Sequence, residues 1–230
     1  MFDWGGTLSV WVDIDIEDMW RLAARHIAPE REEELTAVLV AVEARSWERN
    51  MTDQRSTRLA ELLADASREV GVDVASVVLE EAASHHLDSW TPHIRHHDDA
   101  AAALQELRDM GLKIGLLSNT HWPRHFHEHF LERDGLAPLI DVRFYTSEME
   151  RTKPDARAFS AVLDRLAAER AVFVGDRLFD DVWGAQHAGL MGVWVRNDRT
   201  PAYDVEPDAV IDRLAELPDV VARLAAAEPA

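Results

Sequence analysis

Three short apolar segments of this 230-residue chain each end in polar residues, and amphipathic segments alternate with them. The first ends at Asp3, the second at Ser118 and Asn119, and the third at Gly175 and Asp176. Buried strands that alternate with helices are typical of a parallel sheet that helices cover on both faces. Because parallel strands end at one edge of the sheet, we expect these polar side chains to converge on a single pocket.

The interval between the first two segments has a different pattern. Apolar residues recur there at spacings of three and four, in four successive stripes, which predicts amphipathic helices and no strand. We therefore predict a helical unit over residues 13–91. It is inserted into a sheet-forming unit made of residues 1–12 and 92–230.

The composition excludes several kinds of site and partner. The chain has no cysteine, which rules out disulfides and thiolate metal sites and is consistent with a cytoplasmic protein. No apolar run is long enough to predict a membrane-spanning helix. The formal net charge of −19 argues against nucleic acid, which is bound mainly through its phosphate backbone. A small anionic substrate remains compatible, because a metal ion or a lysine can reverse the field inside one pocket.

The first apolar segment is short for a strand. Only Met1 and Phe2 precede Asp3, whereas a buried strand typically has about five residues. We therefore expect that the natural start lies upstream of Met1 or that the chain has been shortened. The sequence is compatible with a monomer or a homodimer.

Four motifs carry the chemistry that the sequence predicts. They are Asp-Trp-Gly-Gly-Thr-Leu at 3–8, Leu-Ser-Asn at 117–119, Lys-Pro at 153–154, and Val-Gly-Asp at 174–176 with a further acid at Asp181. Taken in this order, they resemble the motifs of the haloacid dehalogenase-like hydrolase superfamily. The resemblance covers residues 1–8 and about 92–212. It implies a Rossmann-like α/β core with an α-helical cap inserted after the first motif.

The resemblance implies a hydrolase of a small phosphorylated metabolite. Asp3 would attack the phosphorus and form an aspartyl-phosphate, which divides one difficult step into two easier ones. Ser118 would hydrogen-bond a phosphoryl oxygen, and Lys153 would neutralise the charge of Asp3 and of the transferred group. The predicted substrate-binding residues are Gly6, Thr7 and Asn119.

The resemblance also implies Mg²⁺ as the cofactor. Asp3, the backbone carbonyl of Gly5, and Asp176 would ligate it, and Asp181 would act through a water molecule. These oxygen ligands are of the hard type that Mg²⁺ prefers. Asn119 would orient the loop that carries the nucleophile.

Position 5 departs from the family's phosphatases, which usually have a second aspartate two residues after the nucleophile. General acid–base catalysis by such a group contributes roughly 10²- to 10⁴-fold. Gly5 predicts slow turnover of ordinary alkyl phosphates unless the cap or the substrate supplies a proton donor. His121, three residues after Ser118, is a candidate for that donor.

Two alternative functions remain open at this stage. One is metal-independent hydrolysis of a 2-haloacid, in which Asp3 attacks carbon. The other is a catalytically weakened member that serves as a binding or regulatory module. Phosphonoacetaldehyde hydrolases have a similar first motif but need a cap lysine, and residues 9–91 contain none.

Two histidines, one tryptophan and a group of arginines are further candidates for a role in binding. His125 and His129 have the spacing of a zinc clamp on a helix, although exposed histidines are the commoner explanation. Trp11 is expected to pack near the junction of cap and core. Six cap arginines could meet an anionic group of the substrate: Arg21, Arg25, Arg45, Arg49, Arg55 and Arg58.

Overall fold

A computed structural model of the protein describes residues 1–227. Within that range five strands form: β1 (Gly115–Ser118), β2 (Val142–Tyr145), β3 (Val172–Gly175), β4 (Met191–Val195) and β5 (Ala209–Ile211). The helices described are α1 (Ile16–Ile27), α2 (Glu32–Thr52), α3 (Leu59–Glu69), α4 (Ser76–Trp90), α5 (Ala100–Asp109), α6 (Arg124–Arg133), α7 (Ala156–Leu166), α8 (Gly184–His187) and α9 (Leu217–Ala227). A π-helical turn, Leu178–Trp183, leads into α8.

Residues 1–3 connect the two halves of the sheet. β1 pairs with β2, and β3 pairs with β4, which pairs with β5, all in parallel. Phe2 bridges Leu116 on β1 and Val174 on β3, also in parallel, and the Asp3 N–H donates to the Val174 carbonyl at 2.9 Å. The first segment, although short, is therefore the central strand of a six-membered parallel arrangement.

Side chains alternate between the two faces of the sheet, as the pleat of a strand requires. Phe2 and Val174 belong to the apolar cluster that α5, α6 and α9 cover. Leu117 and Phe173 belong to a second cluster, which α7 and α8 cover. The predicted α/β class, with helices on both faces of a parallel sheet, is confirmed.

The predicted amphipathic helices of the insert are confirmed as α1 to α4. α1 packs on α2 and α4, and α3 packs on the same two helices. Trp20 is fully buried at the centre, where its ring stacks on His86 at 3.7 Å and its Nε1–H donates to Glu43 at 2.7 Å. None of the helices described combines the length and apolar character that crossing a bilayer requires.

Phe2 supports both halves of the sheet, so its side chain is a test of this architecture. It is 2% exposed. We expect Phe2→Ala to lower the free energy of unfolding by about 3–5 kcal/mol, through lost burial and the cavity left behind. Urea denaturation measures this, with Met51→Ala as the control because Met51 is 54% exposed. Equal losses in the two variants would contradict the central position of Phe2.

Candidate active site

Charged side chains from four parts of the chain meet at the carboxyl edge of the sheet. Asp3 follows the central segment, Asp176 follows β3, Asp181 lies in the π-helical turn, and Lys153 precedes α7. The Lys153 ammonium donates to Asp3 Oδ1 and to Asp181 Oδ1, both at 2.6 Å. Lys153 is 1% exposed, so both ion pairs are shielded from water.

Three carboxylates surround that single ammonium. Asp3, Asp176 and Asp181 each offer an oxygen within 4.8 Å of the others, and no other such group of three occurs among the residues described. Burial raises the pKa of Asp3, and Lys153 opposes this only in part. Burial, followed by the charges of Asp181 and Asp3, raises the pKa of Asp176. The pKa of Lys153 is also raised, because its two carboxylate partners outweigh the effect of burial.

The donor set fits a hard divalent cation. The three carboxylates carry more negative charge than the single ammonium of Lys153 neutralises. Asp176 Oδ1 is buried and has no hydrogen-bond partner. Carboxylate oxygens are the ligands that Mg²⁺ prefers, and a cation at this position would satisfy that oxygen and offset the charge.

Neighbouring groups hold two of these carboxylates in place. The Asn197 amide donates to Asp176 Oδ2 at 2.7 Å, and the backbone N–H of Arg177 donates to Asp181 Oδ2 at 2.9 Å. Asn197 was not predicted from the sequence. Its only signal is its place two residues after β4, the strand that pairs with β3.

Two glycines make room for the carboxylates. Gly6 has a φ of +77°, which disfavours other residues, and a Cβ there would collide with the Asp176 carboxylate. A Cβ at Gly175 would collide with the Asp181 side chain. The backbone of both motifs therefore approaches the acids more closely than any other residue permits.

The predicted substrate-binding residues differ in where they lie. Gly6 and Asn119 line a cavity beside Asp3, as do Ser118 and Lys153. Thr7 is fully buried and is not part of that lining.

Asn119 contacts a different segment from the one predicted. Its Nδ2–H donates to the Lys153 carbonyl, and its Oδ1 accepts from the Lys153 N–H, both at 2.9 Å. Asn119 thereby fixes the backbone of Lys153, whose ammonium contacts Asp3. Among the residues described, the Asn119 side chain forms no hydrogen bond to the loop that carries Asp3. The reason is the packing of α7 on β1 and β2, which brings the segment before α7 next to the end of β1.

The cavity has a volume of about 520 Å³ and extends from the sheet edge to the helical insert. Gly5 lies in its wall next to Asp3. Trp11 also lines it and is 39% exposed, so its ring faces open space where close packing was expected. A larger depression of about 740 Å³ lies between α2 and α3. Its lining includes two of the six cap arginines, Arg45 and Arg49, of which Arg45 is paired with Glu69, and none of the predicted catalytic or metal-ligating residues.

Trp4, the residue after the predicted nucleophile, is held by a hydrogen-bonded chain. Its Nε1–H donates to His96 Nε2 at 3.0 Å, and His96 Nδ1–H donates to Asp134 Oδ2 at 2.7 Å. The His127 ring lies edge-on to Trp4, with 4.6 Å between ring centroids. These contacts fix the ring behind the carboxylate of Asp3. Sequence reasoning missed them, because the three partners are far from Trp4 in the chain.

The histidines expected to be candidates have different surroundings. His125 and His129 are exposed, in agreement with the simpler interpretation. His121 Nδ1 lies 3.1 Å from the Thr57 carbonyl, to which it donates, and Nε2 is buried without a partner. Burial lowers the pKa of His121 to about 4. A neutral ring with its one N–H engaged offers an acceptor at neutral pH, so it does not suit the predicted role of proton donor.

The low pKa of His121 makes a testable contribution to stability. The unfolded chain takes up a proton near pH 6.5, whereas the folded chain does so only near pH 4, so folding is opposed as the pH falls between these values. We expect His121→Gln to reduce the dependence of unfolding free energy on pH by about 1.4 kcal/mol per pH unit in that window. Urea denaturation at pH 7, 6, 5 and 4 measures it. Parallel curves for the two proteins would contradict a neutral, buried His121.

Comparisons with known proteins agree with this geometry. Residues 1–189 match the model of haloacid dehalogenase-like hydrolases. A glyceraldehyde 3-phosphate phosphatase of Methanopyrus kandleri is 32% identical over 165 residues, 69% of this chain and 70% of that protein. These matches confirm the resemblance that the motifs predicted.

Solved structures share the fold. A 2-haloacid dehalogenase from Pseudomonas syringae pv. Tomato DC3000 superposes with a TM-score of 0.71 at 24% identity, over 97% of both chains. The HAD-hydrolase YfnB from Bacillus subtilis, in a structure bound to magnesium, gives a TM-score of 0.63 at 20% identity over 96% of both chains. At these identities the likeness establishes the fold and leaves the reaction to be argued from the site.

Proposed function

The chain belongs to the haloacid dehalogenase-like hydrolase family, and we propose that it is a Mg²⁺-dependent phosphatase of a small phosphorylated metabolite. The observation that carries this proposal is the buried group of Asp3, Asp176 and Asp181 around Lys153. Hydrolysis that used Asp3 alone would gain nothing from two further acids, which repel it. The phosphatase activity named for the Methanopyrus kandleri relative supports the same reaction.

Asp3 is the proposed nucleophile. One of its carboxylate oxygens forms a bond to phosphorus while the ester P–O bond breaks, which gives an aspartyl-phosphate. The ester oxygen leaves with the electron pair and takes a proton from the solvent. Lys153, 2.6 Å from Asp3 Oδ1, keeps the carboxylate ionised and stabilises the negative charge of the transferred group. The Ser118 hydroxyl, at the end of β1 on the cavity wall, would donate to a phosphoryl oxygen. Water then attacks the phosphorus and gives up a proton to the solvent, the bond between phosphorus and the Asp3 oxygen breaks, and inorganic phosphate and the Asp3 carboxylate are released.

Asp3, Asp176, Asp181 and the carbonyl of Gly5 are the proposed ligands of Mg²⁺. The ion, when bound, supplies positive charge that offsets both the carboxylates and the phosphoryl oxygens. The magnesium in the related YfnB structure supports this assignment.

The helical insert, residues 13–91, is the proposed cap over a core of residues 1–12 and 92–230. The cavity supports this division, because Val40, Glu43 and Trp47 of α2 line it together with Asp3 of the sheet edge. A cap placed in this way excludes water from the carboxylates and selects the substrate.

The direct test of the reaction is phosphate release from a panel of phosphorylated metabolites, with Mg²⁺ and with EDTA. We expect Mg²⁺-dependent release that Asp3→Asn reduces by at least about 10³-fold, because the variant lacks the nucleophile. Asp73→Asn is the matched control, since Asp73 is exposed and lies outside the cavity.

Other outcomes of that assay would support the alternatives. Chloride release from a 2-haloacid without metal would establish carbon–halogen hydrolysis by Asp3. A protein stabilised by Mg²⁺ that releases neither phosphate nor chloride would be a binding or regulatory module.

The metal site is tested separately by stability. Saturation with Mg²⁺ to 100 times its dissociation constant should raise the free energy of unfolding by about 2.7 kcal/mol. Asp176→Asn should lose most of this gain yet be at least as stable as the native protein in EDTA, because it removes one of three repelling carboxylates. Thermal denaturation with and without Mg²⁺ measures both. A full Mg²⁺ response in the variant would contradict the role of Asp176.

A further inference from the structure

The cavity beside Asp3 has a polar end and an apolar end. Its polar end holds the carboxylates, Ser118 and Lys153 described above. Away from them the wall is aromatic and aliphatic. Besides Trp4, which adjoins Asp3, four tryptophans line the cavity: Trp11, Trp47, Trp90 and Trp122. At about 520 Å³ the whole cavity has the size of an ordinary small-ligand site, so a ligand anchored at Asp3 extends among these rings.

The charges on the wall argue against a second anionic group in that ligand. None of the six cap arginines belongs to the described lining, whose lysine and arginine side chains are Lys153 and Arg177. The insert contributes carboxyl groups instead, from Asp13 and Glu43. Glu43 accepts a hydrogen bond from Trp20 at 2.7 Å. The second phosphate of a sugar bisphosphate would find one guanidinium on this wall, that of Arg177, which already lies 3.9 Å from the Asp180 carboxylate.

The groups near the scissile bond limit the leaving group. Gly5, exposed on the cavity wall two residues after Asp3, has no side chain to donate a proton. The ammonium of Lys153 is engaged by two carboxylates, and the one N–H of His121 by a carbonyl. An alkoxide is nearly as basic as hydroxide, whose conjugate acid has a pKa of about 15.7, and must be protonated as it leaves. A phenoxide, with a conjugate acid near pKa ~10, can leave without that help.

We propose that the substrate is an aryl phosphomonoester, with its aromatic ring held among Trp11, Trp47, Trp90 and Trp122 and its phosphate at Asp3. This inference rests on the proposed phosphatase activity and specifies its substrate class. The tryptophan rings of the wall can contact a flat aromatic ring of the substrate. Pairs of aromatic rings prefer edge-to-face or offset-stacked arrangements.

The reaction balances without a protein acid. A carboxylate oxygen of Asp3 forms a bond to phosphorus, the aryl P–O bond breaks, and the phenoxide leaves with the electron pair and takes a proton from the solvent. Water then attacks the phosphorus and gives up a proton to the solvent. The bond to Asp3 breaks, and inorganic phosphate leaves.

The test uses three esters with the full-length protein and Mg²⁺: phenyl phosphate, cyclohexyl phosphate and glyceraldehyde 3-phosphate. The first two carry six-carbon rings of similar size and differ in the basicity of the leaving oxygen. We expect kcat/KM for phenyl phosphate to exceed that for cyclohexyl phosphate by roughly 10²-fold or more. We expect the polar three-carbon ester to be poorer than phenyl phosphate by a similar factor.

One set of variants tests the binding of the aromatic ring by the tryptophans, and another tests the effect of the missing acid at position 5. Trp47→Ala and Trp11→Ala should each raise KM for phenyl phosphate, by up to roughly tenfold, whereas Leu22→Ala, an exposed cap residue outside the cavity, should not. Gly5→Asp should raise kcat for cyclohexyl phosphate by roughly 10²- to 10⁴-fold and so narrow the gap between the two rings. A Cβ at Gly5 would meet no atom within 4 Å, so the aspartate has room.

The outcomes distinguish failure of the aryl substrate from failure of the proposed phosphatase activity. Release that depends on Asp3 but is as fast from cyclohexyl phosphate or glyceraldehyde 3-phosphate as from phenyl phosphate would overturn the aryl substrate and leave the phosphatase intact. An unchanged KM for phenyl phosphate in both tryptophan variants would overturn the placement of the ring. No release from these three esters, together with release from a member of the metabolite panel, would overturn the aryl substrate alone, whereas no release from the panel either would overturn the phosphatase proposal and this inference with it.

Discussion

The ammonium of Lys153 between Asp3 and Asp181 is the interaction on which the rest of the site depends. Two ion pairs at 2.6 Å in a buried setting stabilise the fold only when every partner is present, because removal of one leaves an unpaired buried charge. Several otherwise unexplained features serve this one contact. Asn119 fixes the backbone of Lys153 with two hydrogen bonds, and the glycine at 175 lets the Asp181 side chain reach the ammonium.

The same contact leaves the site electrically incomplete. One ammonium cannot neutralise three carboxylates, so the pKa of Asp3 and that of Asp176 are both raised. In the proposed phosphatase, a divalent cation would complete the balance and offset the charge of a phosphate group, which the carboxylates would otherwise repel. The negative charge of the whole chain is therefore no obstacle to an anionic substrate.

The proposed chemistry and the shape of the cavity point to one kind of substrate. A site without an acid at position 5 is suited to a leaving group that needs no proton. A wall of tryptophans is suited to an aromatic ring. Both conditions are met by an aryl phosphate, and neither depends on the other.

The sequence by itself determined the α/β class, the helical insert and the family. Periodicity reports which residues face a core, and the four motifs lie where parallel strands end. The sequence also predicted that five residues would come together, because strands of a parallel sheet share one carboxyl edge. They are Asp3, Ser118, Lys153, Asp176 and Asp181.

Only the tertiary structure decided how those residues are connected. Asn119 contacts Lys153, Asn197 holds Asp176, and His96 holds Trp4, across separations of 34, 21 and 92 residues. A pattern in the chain carries no information on such pairs, since their side chains meet only after helices pack on the sheet. The cavity is a further example. Its aromatic wall draws on α2, α4 and two loops, and the spacing of the tryptophans along the chain predicts packing as readily as an open wall.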